Sequence, residues 1–119
     1  MSDEIRQIHP QDPAVQEEWL RETDEPDIRD VHAARIDEIG GWLVRVCVME
    51  YVSEDPFESD LRQRIAAVLR DVTGVTSAGE HDREQWFVTG TPSGKALIEV
   101  IARVVDDLGE RTRAHLEGL

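Results

Sequence analysis

Two stretches of the chain superimpose on one another. From Pro56, apolar residues fall at Leu61, Ile65, Val68, Leu69 and Val72; from Pro92, they fall at Leu97, Ile101, Val104, Val105 and Leu108, at the same offsets. Ala66 matches Ala102, and Asp71 matches Asp107. Each stretch follows a strand-like run opened by tryptophan, Trp42-Leu43-Val44 in one case and Trp86-Phe87-Val88 in the other. Apolar spacing alone is common to amphipathic helices. The shared proline start, the preceding tryptophan run and the Ala and Asp matches are what point to two hairpin-plus-helix units in tandem.

The local signals place the elements of each unit. Val44, Val46 and Val48 alternate with Arg45 and Cys47, as in an interior strand covered on one side, so the spacing predicts a strand from Trp42 to Val52. Asp55 and Glu58 make a capping box around Pro56, and the helix should run to Thr73 and stop at Gly74. Val75–Glu80 and Glu84–Thr89 read as a hairpin with His81-Asp82-Arg83 near its tip. Thr91-Pro92 opens a last helix whose wide apolar face should lie across the sheet.

Asp30 to Ile39 supports two readings. A strand would lead through a Gly40-Gly41 hairpin turn into Trp42. A helix would group Ile28, Val31, Ile36 and Ile39 but put Arg35 in the middle of that face, which favours the strand. Asp12-Pro13 carries the signature of a helix start, predicting a short helix from Pro13 to about Glu22. Residues 1–27 are accordingly expected to be a mobile N-terminus with that helix and a charged linker, and residues 28–119 a single α+β domain.

The fold expected is therefore an α+β two-layer sandwich, α-ββα-ββα, with a sheet of about four strands and two long helices on one face. That order is ferredoxin-like with the edge strand moved to the front. In outline it resembles the small acidic secretion chaperones, which share the order αββ, α, ββ, α, although none of their sequence motifs occurs here. The likeness is one of element order and implies nothing about activity.

A chain of 119 residues suits one domain without disulfides or metal staples. Its single cysteine, Cys47, excludes an internal disulfide, and the N-terminal residues lack the basic start and apolar stretch of a signal peptide. A cytoplasmic, soluble protein is expected. The net charge is −13, and 17 of the 26 acids but only 5 of the 13 basic residues lie in residues 1–60. Such a balance argues against a phosphate backbone or an anionic membrane as partner, permits a basic protein, and also serves solubility.

Chemistry-bearing motifs are sparse. His9, His32, His81 and His115 show no paired ligand spacing, so no metal or other cofactor is expected. Thr89-Gly90-Thr91-Pro92-Ser93-Gly94-Lys95 joins a strand to a helix but falls short of a P-loop. It has three residues between the glycines, Ala96 where a hydroxyl should hold magnesium, and Pro92 among the backbone donors. What remains is a candidate anion site at Thr91, Ser93, Gly94 and Lys95, with helix capping by Thr91 or Ser93 as the commoner use of such residues. The hairpin tip Glu80-His81-Asp82-Arg83-Glu84 lacks evident burial to tune an acid or base. No serine stands in a nucleophile-elbow context, so no catalytic residue is nominated.

The reading that follows is a non-enzymatic acidic protein-binding module: an adaptor, a chaperone for a basic client or an immunity-type protein, with a homodimer also open. A small-ligand regulatory domain recognising an anionic metabolite near Ser93 and Lys95 is the alternative. An acidic mimic of nucleic acid is the third.

Overall fold

The computed structural model describes residues 4–23, 28–48, 57–82 and 84–117. Six strands form one sheet: β1 (Arg6–Ile8), β2 (Glu17–Glu22), β3 (Ile28–Ile36), β4 (Gly41–Val48), β5 (Val75–Asp82) and β6 (Gln85–Gly90). Two helices, α1 (Phe57–Arg70) and α2 (Gly94–Glu117), complete the α+β domain. The spatial order is β1-β2-β3-β4-β6-β5, with every neighbouring pair antiparallel.

The tandem pattern surfaces in the register at the centre of the sheet. Trp42 pairs with Val88, Leu43 with Phe87, and Val44 with Trp86. The two tryptophan-led triplets thus run past each other about a local pseudo-twofold through the Leu43–Phe87 pair. Each helix crosses this axis: α1, which follows β4, packs on β5, and α2, which follows β6, packs on β3 and β2. Two matched pairs share one environment, since Ile65 and Ile101 are fully buried, as are Leu69 and Val105.

Period-2 alternation sends Val31, Ala33, Trp42, Val44, Val46, Trp86 and Val88 to one face, where they meet Ile65, Leu69, Leu97, Ile98 and Ile101 of the helices. The core lies in this single layer. β3 ends in a 3₁₀ turn, Asp37–Ile39, stopped by Gly40 at φ 69°, rather than in a two-residue turn at Gly40-Gly41. Gly41 is already the first residue of β4. Arg35, awkward for a helix, sits at the sheet's end, where Nη1 donates to the Gly90 carbonyl at 2.8 Å and Nε to Asp37 Oδ1 at 2.9 Å.

The sheet is wider than expected because residues 6–22 supply two further strands. No helix forms from Pro13 to Glu22. Asp12 does cap a turn, with Oδ1 accepting the Ala14 N–H at 2.9 Å and its carbonyl the Val15 N–H at 3.0 Å. The turn stops there because Gln16 N–H donates to the Arg35 carbonyl at 2.9 Å, pinning the chain beside β3. From that point Glu17, Trp19 and Arg21 face the helices, while Glu18, Leu20 and Glu22 face away. The capping box at Asp55, Pro56 and Glu58, the run beyond Val48 and the linker at 24–27 lie outside the described residues or side chains.

Arg21 enters the core layer at 6% exposure and reaches Asp106 of α2 at 3.3 and 3.4 Å. The free edge of β5 is protected: Arg70 Nε donates to the Ala78 carbonyl at 3.0 Å, and the pairing with β6 shifts register twice.

Two stability tests follow. Gly90 holds φ 110°, and a Cβ there would lie inside van der Waals contact with the Gly74 carbonyl oxygen. Gly90→Ala is therefore expected to cost more than about 2 kcal/mol. Gly40→Ala, which meets nothing within 4 Å, should cost only about 1 kcal/mol. Arg21→Ala, which strips a buried stem, should lose about 3 kcal/mol and Arg21→Met less than about 1.5 kcal/mol. Urea melts of the four variants check both.

Candidate functional site

The face of the sheet opposite the helices carries the site. Its cross-strand row Ile8–Glu18–Ala34–Leu43–Phe87–Gly79 spans all six strands. A second row beside it runs Arg6–Leu20–His32–Arg45–Gln85. Leu20, Ile36, Leu43 and Phe87 are half-buried on this face although no described helix covers them. With Ala34, Leu43 and Phe87 form an apolar strip along the first row, and Ile36 and Leu20 lie on the same face on either side of it.

At the β1–β2 end the strip opens into a cleft of about 370 Å³. Ile8, Val15 and Ala34 supply apolar wall, and His9, Gln11 and Asp12 enter from the β1–β2 connection. Its inner polar pair comes from the sheet: the His32 imidazole Nε2 is hydrogen-bonded to Glu18 Oε1, with side chains 19% and 17% exposed. Glu18 Oε2 accepts nothing from a described residue. Asp12 Oδ1 is committed to the Ala14 N–H, which leaves its second oxygen for the cleft. Two histidines 23 positions apart in the chain, with no ligand spacing between them, are thus brought together by strand pairing. Among the described residues, no group of three or more His, Cys, Asp or Glu side chains is arranged to hold a metal ion.

The residues singled out from sequence lie elsewhere, at the start of α2. Ser93 Oγ accepts the Ala96 N–H at 3.4 Å, and the Ser93 carbonyl accepts Leu97 N–H at 3.1 Å, so Ser93 serves as a cap. Gly94 sits directly on two indoles, since a Cβ there would come within 2.5 Å of Trp19 Cδ1 and 2.6 Å of Trp42 Cη2. Trp19 is thereby docked on the domain and helps to seat α2. Thr91 and Lys95 are exposed. At the β5–β6 tip, His81 and Asp82 are exposed and Glu80 Oε1 pairs with Arg62 Nε at 2.7 Å, while Arg83 lies outside the described residues. Cys47 is half-buried on the uncovered face, across from Asp30.

The cleft was missed from sequence because Glu18 and His32 read as unrelated polar residues. The alternation Glu17-Glu18-Trp19-Leu20-Arg21-Glu22, taken as a strand, would have set Glu18 on the face away from Trp19.

No protein-family profile, curated protein or solved structure matches the chain. No described helix is long and apolar enough to cross a membrane.

Ser93→Ala is expected to lower stability by about 1 kcal/mol through loss of the cap. Lys95→Ala, at an exposed position, should shift the melting temperature negligibly; thermal denaturation followed by circular dichroism compares the two.

Proposed function

We propose that the protein is a non-enzymatic binding module that docks a basic protein partner on the uncovered face of its sheet. One observation carries this reading: Ala34, Leu43 and Phe87 are cross-strand neighbours on three central strands, Ile36 and Leu20 share their face, and both helices lie on the other side. A strip of this kind, rimmed by polar groups, is the composition of a docking surface. The acid excess of residues 1–60, which contribute β1 to β4, would steer a cationic partner towards it. The α2 start, capped by Ser93 and floored by tryptophans, offers less than this face does.

Affinity co-purification with tagged protein tests the reading. The native chain should recover a stoichiometric basic partner, Leu43→Glu should lose it, and Arg103→Glu, exposed on the helical layer, should retain it. Circular dichroism of each variant verifies the fold. Equal recovery with Leu43→Glu, or recovery of nothing stoichiometric by the native chain, would reject it.

A further inference from the structure

We propose that the cleft at the β1–β2 end is a socket for one cationic side chain of the partner, arginine above all, an inference that rests on the docking reading and names what that face recognises.

Charge is the first reason. Of the groups that line the cleft, Glu18 and Asp12 are acids, and neither lysine nor arginine is among them. The cavity between α1 and α2, about 330 Å³, is of mixed charge, since Arg64 and Arg103 line it beside Asp71 and Arg64 is paired with Asp107 at 2.7 Å. The cleft on the docking face is thus lined by two acids and two histidines with no lysine or arginine, a lining that favours a cation.

The second reason is how the carboxylates are held. Glu18 is four-fifths buried and tied through Oε1 to His32, so its orientation is set before anything binds. Asp12 is fixed by the turn it caps. Each keeps one oxygen clear of described protein donors. Pre-oriented acceptors lose little freedom on binding, and a planar guanidinium with five donors can meet two separate carboxylate oxygens, which a single ammonium does less well.

Shape is the third. Ile8, Val15 and Ala34 give the cleft apolar walls suited to a methylene stem, while the head group meets the acids. A volume near 370 Å³ is at the small end of ligand sites, which run from roughly 300 to 1,000 Å³, and fits one long side chain.

Position adds a rule for the partner's sequence. Glu18 lies in the same cross-strand row as Ala34, Leu43 and Phe87, three strand spacings from Phe87. That is roughly 14 Å at the usual inter-strand distance, which an extended chain covers in about four residues. The segment recognised should thus carry an apolar side chain about four positions from its arginine.

The test uses the full chain, with N-acetylarginine methylamide and its uncharged citrulline isostere as probes, followed by amide chemical shifts. Saturable shifts confined to Ile8, His32 and Ala34 are expected with the arginine probe and not with citrulline. Affinity should fall roughly 10- to 100-fold in Glu18→Gln, the loss of a charge-assisted hydrogen bond. Asp12→Asn keeps the turn-capping oxygen, removes the charge and should weaken binding in the same direction, so the proposal does not hang on one variant's folding. Arg103→Gln, exposed on the helical layer, should leave the probe's affinity as it was. Equal shifts with citrulline, shifts spread over the acidic surface, or full affinity in both acid variants would overturn the proposal. If the native chain still captures a partner while the arginine probe fails, the socket is wrong and the docking reading stands. If the probe binds but Leu43→Glu keeps its partner while Glu18→Gln loses it, the strip is wrong as the docking surface and the socket stands; if Glu18→Gln also keeps the partner, a partner side chain is excluded as the occupant.

Discussion

The pairing of β4 with β6 is the contact on which the rest of the domain depends. Val44 opposite Trp86 and Trp42 opposite Val88 put two large indoles and two valines on the same side of the sheet, all within 3% of complete burial. A one-residue slip of either strand against the other would turn that strand's indole and valine to the opposite face and leave the other pair without its partners. Because α1 leaves this pair towards β5 and α2 leaves it towards β3, the same register also decides where each helix lands. Ile65, Leu69, Ile101 and Val105 can be buried together only if the two central strands meet in this way.

Much of that was written in the chain. The proline-led stripes, the tryptophan triplets and the glycine stops pointed to two long helices on one sheet face, and their correspondence reappears as the Leu43–Phe87 centre of the register. Sheet width was not legible, for a physical reason. Asp12-Pro13 is a genuine capping signal, but it closes one turn, after which the Gln16 N–H bond to Arg35 takes the chain into β2. Tertiary pairing overrode a local helix start. Arg35, which counted against a helix, finds its partners in Gly90 and Asp37, and neither contact can be read from neighbours in sequence.

The site was the least legible feature. Glu18 and His32 meet across a β2–β3 register that itself depends on recognising β2. The residues that did stand out, Ser93 and Gly94, serve the architecture, one as a cap and the other by letting α2 settle on Trp19 and Trp42. Trp19 therefore connects the two sides of the sheet: its indole seats a helix, and its neighbours in sequence, Glu18 and Leu20, furnish the uncovered face. That coupling places the acid-rich first strands within the folded unit, where Glu17 accepts from Trp19 Nε1 and Glu18 meets His32.

The crossing of the helices has a consequence for how the chain comes apart. A cut in the turn at residues 71–74 would leave one piece with β1 to β4 and α1, whose apolar stripe belongs over β5. The other piece would keep α2 without the β3 surface it lies on. Each fragment would thus hold the lid of its counterpart and none for itself. Reassembly from two polypeptides would amount to a mutual exchange of covers, and productive folding of the intact chain must await closure of its most distant contacts, which favours a slow and all-or-none transition.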